Sequence, residues 1–164
     1  MKKITLLLLA LACCGVSVEG QTQSAKTATA RTQKTVNAPR RAVRPEGSQP
    51  NRIYSPAIVA GDLVFTSGQI GVDPKTGQMV EGGVTAQLEQ VFRNLTAVLE
   101  AAGSSKEHIL KATVFLADMG DYNTMNELYQ KHFKGDPPAR TTVQVAALPR
   151  NARIEIEAVA IVKK

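Results

Sequence analysis

Arg153-Ile154-Glu155-Ile156-Glu157-Ala158-Val159-Ala160-Ile161-Val162 is the stretch on which the fold turns. Side chains alternate across a strand. Ile154, Ile156, Ala158, Ala160 and Val162 therefore share one side, and Arg153, Glu155, Glu157, Val159 and Ile161 share the other. The first row is apolar throughout and belongs against a core. The second row carries two carboxylates at one end and two aliphatic residues at the other, so something is expected to cover it. A carboxylate under such a cover needs a partner or acquires a raised pKa. From this row alone, a solvated edge in which Arg153 pairs with the glutamates is the stronger alternative.

The element that packs on the apolar row is legible upstream. Val84, Leu88, Val91, Phe92, Leu95, Leu99 and Ala102 recur at helical spacing, and Gly103 is a natural stop. Ser104-Ser105-Lys106-Glu107 then has the pattern of a capping box. Ile58–Ala60 and Leu63–Phe65, joined through Gly61-Asp62, read as a hairpin, and Ile109–Leu116 as a strand. A second helix is expected over 121–133, with Tyr122, Met125, Tyr129, His132 and Phe133 on its apolar face. A strand follows over 140–146, and Leu148-Pro149-Arg150-Asn151 is a turn. Strands, helix, strand, helix, strand, strand describe an α+β domain with its helices laid on one face of a sheet.

The 164 residues suit one domain, and the net charge of +6 is unevenly spread. Residues 1–50 hold eight Lys and Arg against Glu19 and Glu46, which leaves twelve charges of each sign in residues 51–164. A neutral domain behind a basic tail excludes a basic nucleic-acid-binding domain. Lys2-Lys3 followed by the apolar run Ile4–Cys14 is a charged n-region with an h-region, too short to span a bilayer. Residues 1–20 are thus expected to be a signal peptide, placing the protein outside the cytoplasm, periplasmic or secreted. Cleavage after Gly20 and a lipobox ending at Cys13 or Cys14, which would leave a lipid anchor, are both open. Residues 21–50 have only Val36 and Val43 as sizeable aliphatics and are expected to be a disordered basic linker. The domain is expected over 51–164.

Beyond Cys14 there is no cysteine, and the two histidines cannot by themselves make a zinc site. Phosphate-loop, dinucleotide-binding and metalloprotease motifs are absent. The chemistry must use Arg, Glu, Asn, Tyr, Ser or Thr and backbone amides. Three features stand out. Arg140, after Pro137-Pro138-Ala139, has a fork suited to a carboxylate. Asn126 lies on the packed side of the second helix and needs a hydrogen-bond partner. Thr66-Ser67-Gly68-Gln69 ends a strand in a turn able to present an N–H to an anion. Each pattern by itself is also common as surface or structural chemistry.

Taken together, the strings Leu63-Val64-Phe65-Thr66-Ser67-Gly68-Gln69-Ile70, Asp73-Pro74-Lys75-Thr76-Gly77, Leu99-Glu100-Ala101-Ala102-Gly103, Lys111-Ala112-Thr113-Val114-Phe115-Leu116, Pro138-Ala139-Arg140-Thr141 and Ile154-Glu155-Ile156-Glu157-Ala158 resemble the Rid (reactive intermediate deaminase) family of enamine/imine deaminases. The resemblance implies a six-stranded mixed sheet with two helices on one face, similar to chorismate mutase. It also implies a homotrimer whose sheets face inward and whose intersubunit clefts are the active sites. The implied reaction is cofactor-free hydrolysis of 2-imino or 2-enamino acids, of the 2-aminoacrylate and 2-iminobutanoate type, to 2-keto acids and ammonia. No metal is implied.

By resemblance, Arg140 clamps the substrate carboxylate and Glu155 orients and activates water. Asn126 sits near the cleft, and Tyr54 closes it from a neighbouring subunit. Ser67 and the Gly68 N–H line the pocket, and Thr142 holds a position often occupied by cysteine. Arg52-Ile53 before Tyr54 and Ser55-Pro56 after it depart from the family's usual Gly-Pro and Ser-Gln. The departures bear on substrate range. A non-catalytic carboxylate-binding module is the alternative reading, and a ribonuclease the weaker one.

Overall fold

Alternating apolar rows and one long amphipathic helix produce a mixed sheet backed on one side. The computed structural model describes residues 39–48 and 53–163. The strands are β1 (Arg41–Val43), β2 (Ala57–Ala60), β3 (Leu63–Thr66), β4 (Gln69–Ile70), β5 (Ile109–Leu116), β6 (Ala139–Gln144) and β7 (Ile154–Ile161). The α-helices are α1 (Gly83–Ala101) and α2 (Tyr122–Tyr129). The sheet runs β1-β2-β3-β7-β5-β6, with β4 also paired to β7. The β5/β6 pair is parallel and is linked through α2, while the other named pairs are antiparallel.

The order of elements is as the sequence implied, with local corrections. The expected linker over 21–50 does not hold at its end: residues 41–43 form the edge strand β1. Val43 is buried and pairs with Ala57, so one apolar side chain and an open strand edge suffice to order the segment. The sheet therefore has six strands in its main path and β4 as a seventh. The second helix is shorter than expected and closes in a 3-10 turn, Gln130–His132, and Tyr122 is exposed. The capping box does not form. Ser104 is buried and its hydroxyl donates to the Ile161 carbonyl at 2.6 Å, while Ser105 stands at the start of the 3-10 turn Lys106–His108 with its hydroxyl paired to His108 Nδ1 at 2.8 Å and not to a backbone N–H. The expected leader, the linker up to residue 38 and Arg52 lie outside the described residues.

On the covered face, Leu88, Val91, Leu95 and Leu99 of α1 pack in one buried cluster with Ile154, Ile156, Ala158 and Ala160 of β7. Burying each leucine contributes about 1.5–3 kcal/mol. Helix α1 ends in a Schellman arrangement: Ser104 N donates to Leu99 O and Gly103 N to Glu100 O. Gly103 has φ +80, a conformation that favours glycine. Helix α1 also has a polar seam. Asn94 donates to the carbonyls of Ile70 and Val72 at 3.0 and 2.8 Å, and accepts from Gln90 at 2.7 Å. Gln87 accepts from Arg153 N at 2.8 Å. This seam fastens β4 and the loop after it to the helix.

Among the described residues no helix lies on the opposite face. Leu63, Phe65, Val143 and Ile161 are each 36–43% exposed there. Registers Leu63↔Ile161, Phe65↔Val159 and Phe115↔Val143 place them, with Val159 and Phe115, on one apolar surface.

Candidate active site

At Thr66, strand β3 leaves β7. The Thr66 hydroxyl accepts from Ala158 N at 2.9 Å, and pairing resumes at Gln69↔Ile156 and Ile70↔Glu155 in β4. Ser67 and Gly68 occupy the interruption. Ser67 N donates to Pro56 O at 2.9 Å and Ser67 Oγ to Ser55 O at 2.7 Å, which pins the segment next to Tyr54. Gly68 is required by close approach. A Cβ there would overlap Glu155 Oε1 and lie 2.6 Å from Cδ and 2.9 Å from Cγ, so the carboxylate lies directly on the glycine. Burial, and then the neighbouring Glu157 charge, raise the Glu155 pKa above the ordinary carboxylate value. Among the described residues no hydrogen bond or ion pair reaches the Glu155 carboxylate.

A second group forms where edge strand β6 meets α2. Arg140 Nη2 donates to Asn126 Oδ1 at 2.6 Å, and Nη1 lies 3.6 Å from Met125 Sδ. The guanidinium carbon stands 4.6 Å from the centroid of the Tyr129 ring. Such a cation–π contact contributes about 0.5–2 kcal/mol. Burial pushes the Tyr129 phenol up to about 12, with the Arg140 charge opposing the shift. Tyr129 Oη and Thr142 Oγ1 are buried, and among the described residues neither has a hydrogen-bond partner. Thr142 faces the same way as Arg140, two residues further along β6.

The registers decide how the groups relate. Arg140 pairs with Ala112, and Ala112 with Ala158, on the helix-covered face. Glu155 pairs with Phe115 and lies three residues from Ala158, on the open face. One chain therefore brings Ser67, Gly68 and Glu155 together, and separately Arg140, Asn126 and Thr142, but it does not join the two groups. Tyr54, 57% exposed, lies on the Ser67 side. It borders a hollow of about 560 Å³ lined by Arg40, Arg44, Ile53, Tyr54, Ser55, Ile58 and Ser67. No group of three or more His, Cys, Asp or Glu among the described residues is placed to hold a metal ion.

Three participants escaped the sequence reading. Tyr129 was assigned to packing, although its position three residues after Asn126 already put both on one helix face. Arg40 and Arg44 were counted only as charges of the tail. They flank the three residues of β1, one at each end, and both border the hollow beside Tyr54, a placement visible only once β1 is recognised.

These features define a class: α+β proteins with two helices on one face of a mixed sheet, and an arginine and a glutamate carried by the two strands, β6 and β7, that flank β5. A family model described as Endoribonuclease L-PSP matches residues 45–162. The human 2-iminobutanoate/2-iminopropanoate deaminase is 50% identical over 108 residues, which are 66% of this chain and 79% of that protein. The crystal structure of YyfA from Yersinia pestis, described as a protein of the conserved Rid family, superimposes with a TM-score of 0.72 at 37% identity, covering 76% of this chain and all of that one. E. coli TdcF, solved with bound serine, does so with a TM-score of 0.67 at 37% identity, covering 75% and 99%. The chain belongs to the Rid, or Endoribonuclease L-PSP, family.

Proposed function

We propose that this chain is a hydrolase acting on reactive 2-imino and 2-enamino acids. It adds one water to the C=N carbon and releases one 2-keto acid and one ammonia, without a cofactor. The observation that carries the reading is the pair of prepared groups. The Arg140 guanidinium is braced from behind by Asn126 and Tyr129, and the Glu155 carboxylate is laid on Gly68 with no cation on it among the described residues. A braced guanidinium holds a substrate carboxylate in a fixed plane, which lowers the entropic cost of positioning. Glu155 then takes a proton from water as its oxygen bonds to the imine carbon and passes it to the nitrogen, giving a carbinolamine; Glu155 next moves the hydroxyl proton to the same nitrogen as the C–N bond breaks, the keto C=O forms and ammonia leaves. A carboxylate whose pKa is raised is a stronger base once ionised. The relative named 2-iminobutanoate/2-iminopropanoate deaminase supports the substrate class.

The working unit under this reading is a homotrimer in which Arg140 of one copy faces Glu155 of another. Two observations support it: the opposite placement of the two groups in the sheet, and the uncovered apolar surface around Phe65. A closed ring of three is an ordinary way to satisfy such a surface. The basic, apolar start of the sequence further supports export, through cleavage after Gly20 or lipidation at Cys13 or Cys14. The mass of the mature N-terminus distinguishes these.

The decisive experiment supplies freshly generated 2-iminobutanoate and follows ammonia and 2-oxobutanoate. Acceleration over the spontaneous rate is expected, with loss of at least tenfold in Glu155→Ala and Arg140→Ala. A wild-type rate in Glu155→Ala sinks the water-activating role. Tight binding of 2-oxobutanoate without acceleration favours a carboxylate receptor instead.

A further inference from the structure

The hollow beside Ser67 is larger than a four-carbon imino acid requires, and its charge is one-signed. Arg40 and Arg44 border it together with the Tyr54, Ser55 and Ser67 hydroxyl-bearing residues, and among the described residues no carboxylate lines it. The charge is local, because residues 51–164 carry equal numbers of acidic and basic side chains. Its position is fixed by the sheet. Arg40 and Arg44 flank β1 at its two ends, and Ala42 between them pairs with Ile58, which also lines the hollow. Arg40 forms no ion pair among the described residues. The hollow also adjoins the reacting end of the site, since Ser67 is both its wall and the residue before Gly68, on which the Glu155 carboxylate rests.

From this juxtaposition we infer a second anion subsite, built by Arg40 and Arg44 at the mouth of the cleft, that selects imino acids carrying a negative group on the side chain. The proposal rests on the deaminase reading and names its substrate class: imino dicarboxylates in place of small aliphatic imines. Arg140 holds the carboxylate next to the reacting carbon, and Arg40 and Arg44 meet the distal one. Two arginines suit this role because their forks present several N–H donors and stay charged at any working pH. Both are exposed, so their contribution depends on salt and is strongest when a bound ligand displaces water from the hollow.

The test uses the full-length mature protein and two stable product analogues, 2-oxobutanoate and 2-oxoglutarate, titrated calorimetrically at low salt. The subsite predicts that 2-oxoglutarate binds at least fivefold more tightly. It also predicts that the ratio of the two dissociation constants falls toward one in the double variant Arg40→Ala/Arg44→Ala and at 0.5 M salt. The charge-reversed Arg40→Glu should push the ratio below one. Both side chains are exposed, so the variants are expected to fold, and circular dichroism checks this. Equal binding of the two acids by the wild type, or a preference that survives in the double variant, overturns the subsite. Binding of neither acid overturns the carboxylate site itself and the subsite with it. Normal binding of 2-oxobutanoate alone overturns only the subsite.

Discussion

Gly68 and Glu155 make the sharpest case at the scale of single residues. A methyl at position 68 collides with the far end of a flexible side chain, so Glu155 swings aside and the backbone need not move. Gly68→Ala should therefore lower kcat/KM by about 10–100-fold, the scale of a misplacement of about 1 Å, while the urea midpoint moves little. A large loss of stability would show that the glycine serves the backbone instead. The raised pKa of Glu155 has its own signature. The folded state holds its proton to higher pH than the unfolded chain, so stability falls as pH rises from 4.5 through the raised value. Glu155→Gln removes that penalty. It should unfold at a higher temperature than wild type at pH 7, and the difference should close below pH 4.5. Activity follows the opposite demand, because only the ionised carboxylate accepts a proton. The acid limb of the wild-type pH–rate profile should lie above pH 4.5.

At the scale of elements, the supporting structure is the polar seam of α1. Asn94 donates to the carbonyl of Ile70, the last residue of β4, and to that of Val72 in the loop after it, and so holds β4 beside Glu155. Asn94→Leu should cost about 1–3 kcal/mol by orphaning the Val72 carbonyl, while Ile70 O keeps its bond from Val72 N; urea denaturation measures the loss, and kcat should fall as the Gly68 turn loosens. The seam was not legible from sequence. Asn94 falls within the most regular helical pattern in the chain, and a polar residue there reads as solvated. Strand β7 was legible residue by residue, because one face is uniformly apolar and the other is not. The last turn of α2 was not, since the period continues past Tyr129 while Gly135 and Pro137 pull the chain out of helical geometry. Strand β1 was hidden by its composition: Arg41-Ala42-Val43 has one residue to bury and gains its order from the edge of β2.

For the whole molecule, the clustering of Leu63, Phe65, Val143 and Ile161 on the open face is the dominant fact. A contiguous exposed apolar surface of this kind marks an interface. Phe65→Lys should shift the species seen by analytical ultracentrifugation from three copies to one and abolish deamination, without unfolding the chain. Sequence patterning showed that β7 has a half-apolar second face, but not what covers it, because a strand's pleat records burial and not the identity of the burying partner.

With the shared cleft proposed above, the placement of Arg140 and Glu155 on opposite sides of one sheet has a genetic consequence. An inert Arg140→Ala chain and an inert Glu155→Ala chain each still supply the half that the other lacks. Denatured together in equal amounts and refolded, they should regain about a quarter of wild-type turnover, the fraction of clefts that random assembly leaves with both groups intact. Each alone should stay dead at any concentration, and wild-type turnover per chain should decay on extreme dilution. In a cell carrying both alleles, two loss-of-function lesions would therefore complement each other inside a single assembled particle.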